Sequence, residues 1–112
     1  MQIKLVVLIV TFLWTSLSFS QNIAQLYFNS GASKYARGDV QGAITDLQES
    51  YRIAPELAKT KQLLVRLLTE QAVKNYDAGN YQQAMLFLEQ ALKINPQYEK
   101  AVKYQKLTHA KI

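Results

Sequence analysis

Residues 38–55 read GDVQGAITDLQESYRIAP, and residues 79–96 read GNYQQAMLFLEQALKINP. The two stretches align without a gap, and six of their 18 positions are identical: Gly, Gln, Ala, Leu, Ile and Pro. Most of the others are similar, as in Asp39/Asn80, Val40/Tyr81, Ile44/Met85 and Arg52/Lys93. Tyr35 and Tyr76 precede the two glycines at the same distance. An internal repeat of this kind decides the fold, because each unit needs its neighbour to cover its apolar face.

The matched residues suit particular mechanical roles. Gly38 and Gly79 follow apolar-periodic stretches and can take the left-handed conformation that ends a helix. Asp39 and Asn80 can cap the free amides of a following helix, and Gln83 completes a capping-box pattern in the second copy. Ala43 and Ala84 allow a paired helix to approach closely. Pro55 and Pro96 suit the first turn of a further helix, where no amide bond is lost, and Asn95 is a good cap before the second of them. The expectation is an all-α chain of five helices, at about residues 22–37, 40–53, 55–78, 81–94 and 96–110. Connections of two or three residues favour antiparallel neighbours.

The pattern of Gly38, Ala43, Leu47, Ser50 and Pro55, repeated as Gly79, Ala84, Leu88, Ala91 and Pro96, resembles the tetratricopeptide repeat. Tyr27 and Gly31 stand at the aromatic and small positions of the first helix, and Leu68 and Ala72 at those of the second copy. The resemblance implies antiparallel helix-turn-helix repeats stacked as an α-solenoid. Two repeats, about 24–57 and 58–98, would be followed by a closing helix at about 96–110. One departure stands out: the glycines are 41 residues apart, against about 34 in the family. The excess of 7 residues lies between Pro55 and Val65 and amounts to about two helical turns. A continuous helix of about 23 residues and about 35 Å is expected, with Leu64, Leu68, Ala72 and Tyr76 on one side.

Ahead of the repeats, residues 1–20 have the order of a secretory signal peptide: basic Lys4, an apolar core from Leu5 to Trp14, then small polar residues. Ser18 and Ser20 would precede a cut leaving Gln21 first, so the domain would be residues 21–112, exported to the periplasm or secreted. The alternative is an uncleaved anchor, and the membrane would then be met only through this segment. The apolar core is shorter than the roughly 20 residues of a spanning helix, unless it extends to Phe19. Hydrophobic residues make up 49% of the 112-residue chain and cysteine is absent. Without disulfides, stability must come from packing. Setting Lys4 aside leaves a mild basic excess, compatible with an acidic partner or with solubility alone.

The residues give no catalytic constellation. His109 is the single histidine, no cysteine offers a nucleophile, and no glycine-rich phosphate loop exists. No cofactor or metal is expected, and the chain does not read as an enzyme. Lys100, Lys103, Lys106 and Lys111 could meet acidic lipid, a partner or nucleic acid; export argues against nucleic acid, and a solvated face explains them well.

The resemblance implies a groove lined by the first helix of each pair, holding another protein or a peptide. Carried over, its lining is Gln25, Phe28, Ala32 and Tyr35 from the first helix. Arg66, Thr69, Val73 and Tyr76 come from the long helix, and Lys100, Lys103 and Leu107 from the closing one. Tyr35 and Tyr76 read equally well as packing residues. A subtype that clamps a terminal carboxylate is not assembled: Phe28, Ala32 and Glu70 depart from its Lys and Asn positions, and Tyr104 replaces its Arg, so only Lys100 matches. Self-association through the long helix, as a homodimer, is the alternative to a separate ligand. A fragment of a longer repeat array is a third.

Overall fold

A computed structural model describes the backbone of residues 2–112 and the side chains of residues 18–112. The expected signal segment, residues 1–20, lies almost wholly outside the described side chains. Five helices follow one another: α1 (Gln2–Ala36), α2 (Val40–Ile53), α3 (Ala58–Asp77), α4 (Tyr81–Ile94) and α5 (Glu99–His109). No strand is present among the described residues. α1 packs against α2 and α3 against α4, while α2 meets α3, and α5 meets both α4 and α3. This is two stacked helix pairs with a closing helix. The first helix is not bounded at residue 22: α1 runs back to Gln2, since neither proline nor glycine interrupts residues 2–30.

Both glycines end their helices in the same way. Gly38 has φ +86° and Gly79 has φ +81°, the left-handed region open to glycine at little cost. The Asp39 amide then donates to the Lys34 carbonyl at 2.9 Å, and the Gly38 amide to that of Tyr35 at 3.0 Å. Asn80 and Gly79 repeat the pair on Asn75 and Tyr76, at 2.8 and 3.0 Å. These paired bonds satisfy the last carbonyls of α1 and α3 and reverse the chain within two residues. Only Asp39 then caps its helix through a side chain, accepting from the Gly42 amide at 2.9 Å. Asn80 makes no such bond, so the capping box expected with Gln83 is not formed.

The prolines are placed differently from the expectation. α3 begins at Ala58 and α5 at Glu99, each three residues after its proline. The Leu57 amide donates to the Ala54 carbonyl at 3.1 Å, and the Tyr98 amide to that of Asn95 at 3.2 Å. Pro55 and Pro96 therefore hold the second position of a β-turn, which their fixed φ favours. Leu57 and Tyr98 leave those turns extended, at ψ 109° and 108°, and each starts a helix. Asn95 folds its side chain onto the Gln97 amide at 3.1 Å and caps the turn, not the helix. The long helix is thus 20 residues, about 30 Å, still well beyond the 14 residues of α2 and of α4.

Three side chains carry α3 into the core: Leu64 and Leu68 at 1% exposure and Ala72 at 0%. Val65 and Leu67 are equally enclosed, so α3 is buried on two sides, by α2 and by α4. Ala43, Ile44 and Leu47 of α2, Leu88 and Ala91 of α4, and Ala101 of α5 complete the same cluster. Each large buried side chain contributes about 1.5–3 kcal/mol. Gly31 matters for spacing. A Cβ there would stand 3.0 Å from Leu47 Cγ and 3.1 Å from the Ala43 carbonyl oxygen, so α1 and α2 approach through it.

Candidate functional site

The first helices of the pairs, α1 and α3, touch through side chains at matching intervals. Phe28 and Tyr35 are seven residues apart on α1, and Lys59 and Arg66 are seven apart on α3. Seven residues are two turns, so each pair shares a helix face. The Lys59 ammonium lies 5.2 Å from the Phe28 ring centre, and the Arg66 guanidinium 5.8 Å from that of Tyr35. The Tyr35 hydroxyl donates to Glu70 at 3.3 Å, and Glu70 also faces Arg66 at 3.8 Å. The next seam, between α3 and α5, is closed by Tyr76 and Tyr104, edge to face at 5.4 Å. Tyr76 meets Tyr81 of α4 in the same way, also at 5.4 Å. Lys103 lies 5.9 Å from the Tyr104 ring centre.

The expected lining residues fall into three groups. Gln25, Phe28, Ala32, Tyr35 and Val73 are partly exposed, and Arg66, Lys100 and Lys103 are open to solvent. Gln25 is tied along its own helix, donating to Asn29 at 2.9 Å. Tyr76 is half-buried between two other tyrosines, and its packing contribution is evident. Thr69 does not line a groove. It is 1% exposed, and its hydroxyl donates to the Val65 carbonyl at 2.7 Å. A short hydroxyl side chain bonded back to its own helix can be enclosed where two neighbouring helices close over it. Leu107, also expected in the groove, lines a trough on the outer side of α5 with Val102, and Lys103 stands at the border between the two faces.

Lys59 and Tyr104 were not among the expected lining residues. Sequence spacing could have pointed to Lys59, since it lies seven residues before Arg66. It also stands 41 residues before Lys100, the distance that separates the glycines. The starts of α3 and α5, Ala58 and Glu99, keep that same interval. Lys59 and Lys100 therefore occupy equivalent places on successive first helices.

The charged groups whose titration is shifted lie away from this face. Asp46 of α2 accepts from the Ser30 hydroxyl at 2.6 Å and pairs with Lys34 at 2.9 Å. That hydroxyl, followed by the Lys34 ammonium, holds its carboxyl below the usual range, against the upward push of burial. Glu49 is lowered in the same direction by the guanidinium of Arg52, one turn along α2. Among the described residues no group of three His, Cys, Asp or Glu side chains could hold a metal ion. Among residues 18–112, whose side chains are described, no helix is long and apolar enough to cross a membrane.

No curated protein matches the chain. The tetratricopeptide repeat family matches it over residues 22–97, more than half its length, from the second half of α1 to the turn after α4. Helix pairs, left-handed glycine stops and the tight Gly31–Ala43 approach all fall inside that span, and the chain belongs to the tetratricopeptide repeat family.

Proposed function

We propose that the protein is an exported adaptor that holds a peptide or helix of a partner protein along the face formed by α1, α3 and α5. Tetratricopeptide repeats in general mediate protein–protein interaction and are non-catalytic. The observation that carries the proposal is the seam between first helices, where Phe28 and Tyr35 remain partly exposed beside Lys59 and Arg66. Aromatic and cationic groups presented together on rigid helices suit peptide recognition. Residues 1–20, with Lys4 ahead of an apolar core, support export and a cut after Ser20. Intact mass of the exported protein tests that part: a chain beginning at Gln21 is expected, and one retaining Met1 would establish an anchor.

The adaptor role is tested by placing photo-crosslinking residues at Gln25, Val73 and Lys100 and identifying the adducts by mass spectrometry. A partner trapped from all three positions is expected. Adducts no more frequent than those from Gln48, an exposed residue of α2, would overturn the reading. A second reading, self-association, is not available through the long helix, whose apolar sides are buried, and draws instead on the uncovered outer side of α5, where Val102, Leu107 and Ala110 line an open trough. Sedimentation over a range of concentrations separates the two readings, since a concentration-independent monomer removes self-association.

A further inference from the structure

Two cation–aromatic pairs bridge α1 and α3 on the inner face, and a third lies within α5 at the border of that face. Lys59 of α3 lies over Phe28 of α1, Arg66 of α3 over Tyr35 of α1, and Lys103 of α5 beside Tyr104. Lys100 repeats the place of Lys59 one unit later. Among the described residues, Lys59, Lys100 and Lys103 have no carboxylate within salt-bridge distance. Glu70, the carboxylate at the α1–α3 seam, is held by the Tyr35 hydroxyl at 3.3 Å and by Arg66 at 3.8 Å. Arg66 shares its guanidinium with that carboxylate and keeps further N–H donors, while the three lysines have no carboxylate to answer.

We infer, building on the groove reading above, that the occupant is an acidic peptide segment bound by its side chains, internal to its own chain. Lys59 and Arg66 are about 10 Å apart along α3, which in a peptide of polyproline II form is about one turn of three residues and brings side chains back to the same side. The segment recognised therefore carries Asp or Glu at intervals of about three, with carboxylates over Lys59 and Arg66 and again towards Lys100 and Lys103. A free C-terminus is not required, because the cations are spread along two seams and do not converge on one point. The rings beneath Lys59, Arg66 and Lys103 hold those cations out over the groove and give the peptide backbone an apolar floor.

The test is a selection of random displayed peptides on the whole chain, with the recovered sequences remade as C-terminal amides. Binding is then read by fluorescence anisotropy against the wild type, Lys59→Gln/Arg66→Gln and Ala32→Trp, each first checked for unchanged helix content. Recovered peptides are expected to be rich in Asp and Glu at intervals of about three. Their affinity should fall about fivefold with the double neutralisation, and by a similar factor between about 50 and about 500 mM salt. Peptides that respond to Ala32→Trp but are neutral or basic, and indifferent to Lys59→Gln/Arg66→Gln, would leave the groove standing and overturn the acidic ligand. A selection that recovers no peptide responding to Ala32→Trp would overturn both.

Discussion

Ser50 and Ala91 stand at one place in the two copies, and each has a matched partner in the helix that follows. The Ser50 hydroxyl donates to the Ala24 carbonyl at 2.7 Å and lies 2.8 Å from the Thr60 hydroxyl, with both side chains fully enclosed. In the second copy the same positions are Ala91 and Ala101, both at 0% exposure. A polar pair in one junction is thus replaced as a pair by two methyl groups in the other. Ser50→Ala alone should cost about 1–3 kcal/mol, because the Thr60 hydroxyl loses its partner inside the core. Adding Thr60→Ala should recover part of that loss, giving a coupling of about 1 kcal/mol in a double-mutant cycle read by urea unfolding. Additive losses would show that the two hydroxyls do not act together. The Ser/Ala match was legible in the sequence; its bond to Thr60 was not, since that bond depends on the turn between α2 and α3.

At the scale of elements, the helix stops carry the clearest prediction. A Cβ at Gly38 or Gly79 would meet nothing within 4 Å, so only the backbone conformation opposes a side chain there. Gly38→Ala and Gly79→Ala should each destabilise the fold by about 1–2 kcal/mol, and their costs should add because the two turns share no contact. Gly31 is the opposite case, crowded by Leu47 and the Ala43 carbonyl. Gly31→Val should cost about 2–3 kcal/mol through overpacking, measurable as a lowered denaturation midpoint. The α1–α2 pair is also clasped by Asp46 with Ser30 and Lys34. Its folded pKa is depressed, so its stabilisation is complete above the ordinary carboxylate range and is lost as the pH falls through the folded value. Asp46→Asn should therefore lower stability at about pH 7 and make little difference at about pH 2. An equal loss at both pH values would assign the role of Asp46 to shape alone. Glycine stops and close approach were legible because they demand particular residue types. Helix starts were less so: proline was compatible with the first helical turn and with a β-turn, and the Ala54–Leu57 and Asn95–Tyr98 bonds select the turn.

In the molecule as a whole, α5 closes the stack. Its Ala101 and Thr108 are fully enclosed, and Tyr104 meets Tyr76 of α3 edge to face. Nearest-neighbour packing dominates in repeat proteins, so loss of an end unit destabilises the next one. Deleting residues 98–112 should lower the thermal midpoint and the denaturant slope together, as the faces of α3 and α4 lose their cover. An unchanged midpoint would make α5 an appendage. The sequence by itself determined the repeat, the all-helical class, both helix stops and the greater length of α3. These follow from local chemistry: residues that tolerate positive φ, small side chains at close approach, and apolar periodicity. Tertiary structure decided which side chains face the groove. Thr69 was withdrawn into the core and Lys59 was brought over Phe28, because those outcomes depend on how one first helix registers against the next. That register is set by packing between segments some 30 residues apart, and no local pattern encodes it.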